Sequence, residues 1–353
     1  MVKNKNQLEI ANTVSQSFSS IMLLSICTYD GGLAAWNINL KKEEVKGGQV
    51  LNLEFLFRAS SSPFRALCQT PGASINSRSH RYLAAAADEY IYIYSLKKKR
   101  QIGQLSHHTD TISAIAFICL PEDIDKPRAA SALLSGDESG SICVWDCISW
   151  EPMLSVRGHK GRINSFDIHP TGKVALSAGA DKCVRLWDLT KGRPVHTSKL
   201  TADPLVIKWA PNGCDFIILY RDALSLFCAS SGTEEMRWDL TGEIPVGITG
   251  DKSCCVLVID SEAGKPWNLI AGTEAGRVVV CRPNGGRTFL DSGLAGRVKR
   301  VERVGRDAVA LVGGDGFIKI VSLADLVLRS PRVTVLAESD EAKGERVVSS
   351  SSS

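Results

Sequence analysis

His159, Ser177 and Asp181 are the three residue types of a hydrolytic triad, and they lie close together in the sequence. An imidazole between a carboxylate and a hydroxyl could activate the serine for acyl transfer. The same groups could instead satisfy one another structurally, because a buried imidazole and a buried indole N–H each need a partner. In that interpretation Asp181 fixes the His159 tautomer and Ser177 bridges to Trp187. No strand–serine–helix elbow surrounds Ser177, which favours the structural interpretation over a hydrolase.

Other catalytic and metal-binding motifs are missing from the sequence. It has no Walker loop, no GxGxxG after a predicted strand and no HExxH motif. The 11 cysteines are scattered without a paired framework, which is typical of reduced thiols in the cytosol or nucleus. Cys143 and Cys147 have no second pair at zinc spacing, and the adjacent Cys254 and Cys255 would point to opposite faces of one strand. We therefore predict no enzyme activity, no cofactor and no metal site.

The chain carries internal repeats, which are clearest in two segments. LLSGDESGSICVWD ends at Asp146, and ALSAGADKCVRLWD ends at Asp188. Each has an apolar run, a turn of small residues and an alternating strand that closes with Trp-Asp. GHKGRINSFDIHPTGK precedes the second segment and SHHTDTISAIAF precedes the first. This order of strands and turns is the signature of a WD-repeat β-propeller blade.

Seven positions fit the anchor of such a blade once residues other than tryptophan are allowed. Each closes an alternating apolar strand: Trp36, Tyr94, Trp145, Trp187, Phe227, Cys281 and Val321. Successive anchors lie about 40–60 residues apart, near the roughly 40–45 residues of one blade. Strands such as VVVC at 278–281 can be apolar on both faces because blades pack face to face. The sequence therefore predicts an all-β fold, a single seven-bladed WD-repeat β-propeller over residues 1–337.

The third blade is predicted to have an incomplete copy of the polar set seen in the fourth. His108, Ser135 and Trp145 match their counterparts, but Ser139 stands where the fourth blade has Asp181. The other five blades lack most of the set. Apolar packing is therefore expected to stabilise them.

The charge balance gives no case for a dedicated DNA-binding domain. Lys and Arg number 42 against 38 Asp and Glu, a net charge of +4 over 353 residues. No apolar run approaches the roughly 20 residues that span a bilayer, so no membrane partner is predicted. The basic run at 97–100 follows a predicted strand. A solvated turn is the favoured interpretation, and a nuclear-localisation signal or an RNA contact is the alternative.

Two stretches, residues 81–117 and 149–193, resemble the PAK-interacting-protein family of WD-repeat proteins. The most specific part is IHPTGKVALS followed by DKCVRLWDLTKG. The resemblance implies a non-catalytic scaffold in large-ribosomal-subunit assembly and pre-rRNA processing, located in the nucleus or nucleolus. Its partners would be ribosome assembly factors, with contact to pre-ribosomal RNA. In WD-repeat proteins, residues matching His159, Ser177, Asp181 and Trp187 form a structural hydrogen-bond tetrad.

The resemblance also implies binding and inhibition of a p21-activated-type kinase. The alternative function is a general WD-repeat adapter for a signalling or ubiquitin-ligase complex, and the alternative location is the cytoplasm. A propeller of this kind is expected to be a monomer. Arg162 in GRIN and Arg297 in GRVK hold matching places before the first strands of blades four and seven. In the family's geometry such residues point to the top face, where a guanidinium fork suits carboxylate or phosphate; two ordinary solvated arginines are the alternative.

The C-terminal end differs from the Lys-rich tail that is common in this family. Residues 338–353 are acidic and then serine-rich, and are predicted to form a largely disordered tail outside the propeller. Three segments are candidates for closing the ring. Residues 8–14 could add an N-terminal strand, 331–337 could form the outer edge of blade seven, and 344–350 could enter blade one beside residues 20–28.

Overall fold

Each repeat of the sequence folds into an antiparallel sheet of four strands, because its alternating apolar segments are separated by short turns. The computed structural model describes residues 22–28, 31–38, 51–70, 81–120, 130–240, 256–259, 268–282, 284–304, 308–314, 317–327, 333, 335–339 and 347–352. Seven such sheets are present in these ranges, and we refer to them as blades one to seven.

The first four blades contain the following strands. Blade one contains β1 (Met22–Thr28), β2 (Gly32–Ile38) and β3 (Leu51–Arg58). Blade two contains β4 (Phe64–Gln69), β5 (Tyr82–Ala87), β6 (Tyr90–Ser95) and β7 (Arg100–Ser106). Blade three contains β8 (Ile112–Ile118), β9 (Ala132–Asp137), β10 (Ser141–Asp146) and β11 (Pro152–Arg157). Blade four contains β12 (Ile163–Ile168), β13 (Val174–Gly179), β14 (Cys183–Asp188) and β15 (Arg193–Lys199).

The last three blades and the closing strand follow the same order. Blade five contains β16 (Val206–Trp209), β17 (Asp215–Leu219), β18 (Ala223–Cys228) and β19 (Glu234–Asp239). Blade six contains β20 (Val256–Ile259), β21 (Asn268–Gly272), β22 (Arg277–Cys281) and β23 (Arg287–Asp291). Blade seven contains β24 (Val298–Val304), β25 (Ala308–Gly313), β26 (Ile318–Ser322), the short helix α1 (Leu323–Val327) and β27 (Val335–Ser339). Strand β28 (Val347–Ser352) returns to blade one.

The blades form a closed ring through their innermost strands. These strands are β28, β4, β8, β12, β16, β20 and β24, and each contacts the innermost strand of the next blade. The last contact, between β24 and β28, and the first, between β28 and β4, complete the circle. The predicted seven-bladed β-propeller is therefore confirmed. Closure pairs or covers the strand edges that an open arrangement would leave exposed.

The C-terminal segment closes the ring by completing blade one. Strand β28 pairs antiparallel with β1, placing Ser350 opposite Ile26 and Ser352 opposite Leu24. Strand β27 pairs with β26 at the outer edge of blade seven. Both strands reach beyond residue 337, the predicted end of the propeller, so the serine-rich segment contributes a strand to it. The N-terminal candidate strand at 8–14 lies outside the described residues.

Apolar packing between neighbouring blades holds the ring together. In β22, Val278 and Val280 pack toward blade seven, whereas Val279 and Cys281 pack toward blade five. This is the two-faced apolar strand that the sequence predicts. The seven predicted anchors all lie on the third strand of their blades, and each is at most 9% exposed. The seven anchors are unevenly spaced in the sequence, yet they occupy equivalent positions in their blades.

Candidate functional site

Four side chains of blade four, all of them buried except the half-buried Asp181, form a continuous hydrogen-bond chain. His159 lies in the turn between β11 and β12, Ser177 on β13, Asp181 in the turn between β13 and β14, and Trp187 on β14. His159 Nδ1 lies 2.9 Å from Asp181 Oδ1, and its Nε2 lies 2.7 Å from Ser177 Oγ. The indole Nε1 of Trp187 donates to Ser177 Oγ at 2.9 Å. The chain therefore joins the third strand to two turns on one face of the ring, which we call the top face; the opposite face is the lower face.

A neutral imidazole satisfies every group in this chain. Nδ1–H then donates to Asp181, and Nε2 accepts the hydroxyl proton of Ser177. Burial lowers the pKa of His159, although its contacts with Asp181 act in the opposite direction. Burial raises the pKa of Asp181, but the His159 contact and the N–H groups of Lys160 and Cys183 outweigh it, so this pKa is lowered overall. The pair is therefore held as a neutral imidazole beside a carboxylate.

The geometry assigns Ser177 a bridging role. The residue is fully buried, and its hydroxyl is bonded to His159 and to Trp187. A nucleophile would need room for a substrate carbonyl and donors for the oxyanion near its hydroxyl. The indole of Trp187 occupies one of these directions. The hydrogen bonds are those that the structural interpretation of the sequence predicts.

Blade three contains a complete chain of the same kind, so the predicted gap at Ser139 is wrong. His108 Nε2 lies 2.7 Å from Ser135 Oγ, and Trp145 Nε1 donates to the same oxygen at 2.8 Å. Asp137 supplies the carboxylate, with its Oδ2 at 2.8 Å from His108 Nδ1. Ser139 donates to the other oxygen of Asp137 at 2.7 Å. Aspartate is therefore present two residues earlier than sequence alignment places it.

Asp137 occupies the position that Gly179 holds in blade four. Asp137 pairs with Ile112, the first residue of β8, and Gly179 pairs with Ile163, the first residue of β12. A Cβ atom at Gly179 would lie 2.4 Å from His159 Nδ1, so blade four has room there only for glycine. Blades three and four thus each combine one aspartate with one small residue, at the end of the second strand and in the turn after it. This exchange of aspartate and small residue between the two positions is the signal that could have identified Asp137.

Arg162 and Arg297 hold equivalent backbone places, as the sequence predicts. Each directly precedes the innermost strand of its blade, and its carbonyl accepts an N–H from the end of the second strand: Ala180 for Arg162, Gly314 for Arg297. The Arg162 side chain is half exposed, with its guanidinium 3.8 Å from Glu138. Arg297 is half-buried. The two residues lie three blades apart around the channel, so they could contact the same ligand only if it extended across the channel mouth.

The basic run at 97–100 begins in the turn between β6 and β7 and ends on the first residue of β7. Its side chains are exposed, and Lys99 forms an ion pair with Glu54 on β3 of the neighbouring blade. The residues thus form a solvated turn. The alternative roles predicted for this run, a nuclear-localisation signal or an RNA contact, both require a partner molecule.

Thiols and carboxylates offer one possible cation cluster among the described residues. Asp215, Cys228 and Glu235 have donor atoms within 4.8 Å of one another at the lower edge of blade five. Asp215 already accepts from Asn212, and Cys228 bonds to Ser230. Contacts with Ser230 and Ser231 lower the pKa of the Cys228 thiol.

Of the four cysteines weighed as metal ligands in the sequence, two are buried and two are undescribed. Burial raises the pKa of both Cys143 and Cys147, which pack in the blade three core. Cys254 and Cys255 lie outside the described residues. No helix in the described part of the chain has the length and apolar character needed to cross a membrane.

Comparison with known proteins agrees with this architecture. The family described as WD domain, G-beta repeat matches residues 99–146 and 150–188, which end with the third strands of blades three and four. A Danio rerio protein named "p21-activated protein kinase-interacting protein 1-like" is 35% identical over 46% of this chain and 42% of its own length. The Schizosaccharomyces pombe "Shk1 kinase-binding protein 15" is 32% identical over 52% of this chain and 54% of its own. The Monosiga brevicollis "Ribosome biogenesis protein BOP1 homolog" is 33% identical over 23% of this chain and 10% of its own.

These relatives confirm the resemblance inferred from residues 81–117 and 149–193. The chain is a seven-bladed β-propeller with WD-repeat matches in blades three and four, and it is similar to proteins named for kinase interaction and for ribosome biogenesis. The matched part spans about half, or less, of each relative's length.

Proposed function

We propose that this chain is a non-catalytic WD-repeat scaffold in ribosome biogenesis, acting in large-subunit assembly and pre-rRNA processing. The observation that carries the proposal is the similarity to a relative named for ribosome biogenesis, combined with a closed propeller. The potentially catalytic residues of blades three and four are engaged in hydrogen-bond chains that link strands to turns. A rigid ring with variable turns on two faces is suited to holding several proteins at fixed positions.

The proposed partners are ribosome assembly factors, and the proposed location is the nucleolus, with the cytoplasm as the alternative. In this proposal the chain acts as a monomeric propeller. The exposed lysines of the 97–100 turn would serve as a nuclear-localisation signal or contact pre-ribosomal RNA. Phosphate contacts by lysine give affinity without base specificity, which suits a factor that is positioned mainly by neighbouring proteins.

We assign Arg162 and Arg297 to a binding surface on the top face. The half-exposed guanidinium of Arg162 has Glu138 at 3.8 Å, a separation beyond hydrogen-bonding distance. A carboxylate or phosphate of a partner would offer this guanidinium a closer bidentate acceptor. The position of Arg297 on the far side of the channel would extend the surface across its mouth.

A second candidate function is binding to a p21-activated-type kinase. Two of the relatives carry kinase binding in their names, which favours this function over an adapter role in an unrelated signalling or ubiquitin-ligase complex. Both functions use a propeller surface, so one protein could perform both. Inhibition of the kinase is part of this second candidate.

Affinity purification from cells distinguishes these functions. The tag belongs at the N-terminus because β28, close to the C-terminus, forms the innermost strand of blade one. Co-purification of large-subunit assembly factors and pre-rRNA, lost at normal protein level in the Arg162→Glu/Arg297→Glu variant, supports the first function and the top-face surface. Enrichment of a kinase without pre-ribosomal components supports the second. Recovery of neither class contradicts both.

A further inference from the structure

An apolar cleft opens between blades three and four. It has a volume of about 290 Å³. Its buried walls include Leu134 and Ile142 of blade three and Phe166 and Trp187 of blade four. Met153, Thr190 and Lys191 are its exposed lining residues. We call this feature the interblade cleft. It lies outside the hydrogen-bond tetrads, although Trp187 belongs to both.

The turn after β14 keeps the cleft in this shape. Gly192 has a φ of +61°, and a Cβ atom there would lie 2.8 Å from Leu154 Cδ2, so the turn approaches blade three closely only with glycine. Asp188 accepts hydrogen bonds from the backbone N–H groups of Thr190 and Lys191 and from the Thr190 hydroxyl. These bonds fix the turn. All three bonds are to Oδ1 of Asp188, the one carboxylate among the described residues that line the cleft.

The size and chemistry of the cleft select its ligand. Small-molecule sites are usually about 300–1,000 Å³ with several converging polar groups. This cleft, at about 290 Å³, lies just below that range, and its deep walls are apolar. One leucine or phenylalanine side chain would suit it. The flexible thioether of Met153, 58% exposed, can adjust to either shape.

Charge at the mouth favours an acidic neighbour for that side chain. The Lys191 ammonium is 62% exposed and lies 3.7 Å from Asp188. Lys173 and Arg193 are exposed on the same edge of blade four: the Lys173 carbonyl accepts the N–H of Leu189, and Arg193 pairs with Asp188 across the strands. Glu151 is an exposed carboxylate at the base of β11, on the blade three side. An acidic ligand residue would therefore lie toward blade four.

We propose that the interblade cleft binds an extended segment of a partner protein, in which a leucine or phenylalanine is followed by acidic residues. The proposal rests on the protein-scaffold function and adds to it the position and chemistry of one docking site. The apolar side chain would fill the space beside Trp187, and the carboxylates would pair with Lys191. Anchor residues in buried pockets dominate the affinity of such interfaces, and peripheral charges set selectivity.

Fluorescence polarisation with labelled heptapeptides and the full chain tests this site directly. The probes are GSLDDGS, GSFDDGS, GSADDGS and GSLKKGS. The leucine or phenylalanine peptide should bind at least about tenfold more tightly than the alanine peptide, because the anchor provides most of the apolar burial. The acidic leucine peptide should also bind more tightly than the lysine peptide. Equal affinity for all four would overturn the proposal.

Three variants connect binding to the cleft. Val144→Phe fills the cleft from blade three and should weaken binding of the leucine peptide by about tenfold or more. Lys191→Glu should weaken the acidic peptide and strengthen the lysine peptide, a reversal that a folding defect would not produce. Lys199→Glu, an exposed lysine at the opposite end of β15, is the matched control and should stay within about twofold of wild type.

The remaining outcomes are also decisive. Unchanged binding in both Val144→Phe and Lys191→Glu places the peptide elsewhere and overturns the proposal. Sedimentation that shows a dimer of the wild type and a monomer of Val144→Phe identifies a second copy as the occupant and also overturns it. Failure of peptide binding leaves the affinity purification untouched, so the scaffold function and the cleft assignment can fail separately.

Discussion

Asp137 accepts a hydrogen bond from His108 at 2.8 Å, and this contact gives blade three the buried chain that Asp181 completes in blade four at 2.9 Å. The two carboxylates approach their imidazoles from different positions. Asp137 is the last residue of β9, whereas Asp181 lies in the turn after β13. A short side chain can reach the same ring nitrogen from either place, because a Cβ at the strand end would lie 2.4 Å from His159 Nδ1, the atom that Asp181 reaches from the turn. The tetrad is therefore defined by the positions of its atoms, and its carboxylate can come from more than one position in the sequence.

Because Asp137 and not Ser139 supplies the carboxylate, two neighbouring substitutions in blade three should cause unequal losses of stability. Asp137→Ala removes the fully buried carboxylate and leaves His108 and the Ser141 N–H without their acceptor, which should cost about 1–3 kcal/mol or more of unfolding free energy. Ser139→Ala removes one partly buried donor and should cost less than about 1 kcal/mol. Urea unfolding at pH 7.5 measures both. Equal losses would contradict Asp137 as the tetrad acid.

Two glycines of blade four give a matched test of the space around His159. A Cβ at Gly179 would lie 2.4 Å from His159 Nδ1 and 2.7 Å from Asp181 Oδ1, so Gly179→Ala should displace both and destabilise the chain. Overpacking of this kind typically costs about 1–3 kcal/mol. Gly161→Ala, where no atom lies within 4 Å of the added carbon, is the control. Comparable melting temperatures for the two variants would argue against a tightly packed tetrad.

The sequence predicts the number of blades because each blade repeats the same local requirements. An anchor such as Trp145 or Val321 ends an alternating strand, and both side chains are buried in the same register of their blades. The sequence does not predict Asp137 because alignment of the two repeats compares residues at equivalent positions, whereas the tetrad requires only that a carboxylate reach His108. Strand β28 was one of several candidates, since a serine run has weak strand propensity and its pairing with β1 is set by the ring.

Trp187 should be a highly sensitive anchor because, like Trp145, it serves packing and hydrogen bonding together. It packs against Ile142 and Phe166 and donates to Ser177. Trp187→Ala should cost roughly 3–5 kcal/mol, the usual range for a buried aromatic residue. Trp187→Phe keeps most of the apolar volume and loses the N–H donor, so its loss should be smaller. Calorimetric melting compares the variants, and an unchanged melting temperature for Trp187→Ala would exclude a core role.

Protonation of the buried histidines should make stability depend on pH. Burial lowers the pKa of His108 and His159 below the ordinary value of about 6.5, although Asp137 and Asp181 act in the opposite direction. The unfolded chain therefore binds more protons than the folded chain between the lowered pKa and about 6.5. The stabilisation is fully present above about pH 6.5 and is lost as pH falls below it.

Urea midpoints at pH 7.5, 6.5 and 5.5 measure this dependence of stability on pH. It should be shallower in a His108→Gln/His159→Gln variant and unchanged in His196→Gln, an exposed control.

Removal of the closing strand should affect the whole ring, because β28 has neighbours on three sides. It pairs with β1 inside blade one and contacts the innermost strands β24 and β4 of the two flanking blades. A chain that ends at residue 344 would expose the edge of β1 and open the ring between blades seven and two. Ordering the segment costs roughly 1–2 kcal/mol per residue, so a native strand there implies contacts that exceed this cost.

Truncation should lower the melting temperature sharply and raise the tendency to aggregate through the open edge. A separately added peptide of residues 344–353 should restore part of the lost stability in proportion to its concentration. A truncated chain that melts like the full-length protein, and that the peptide does not change, would mean that the ring closes without β28.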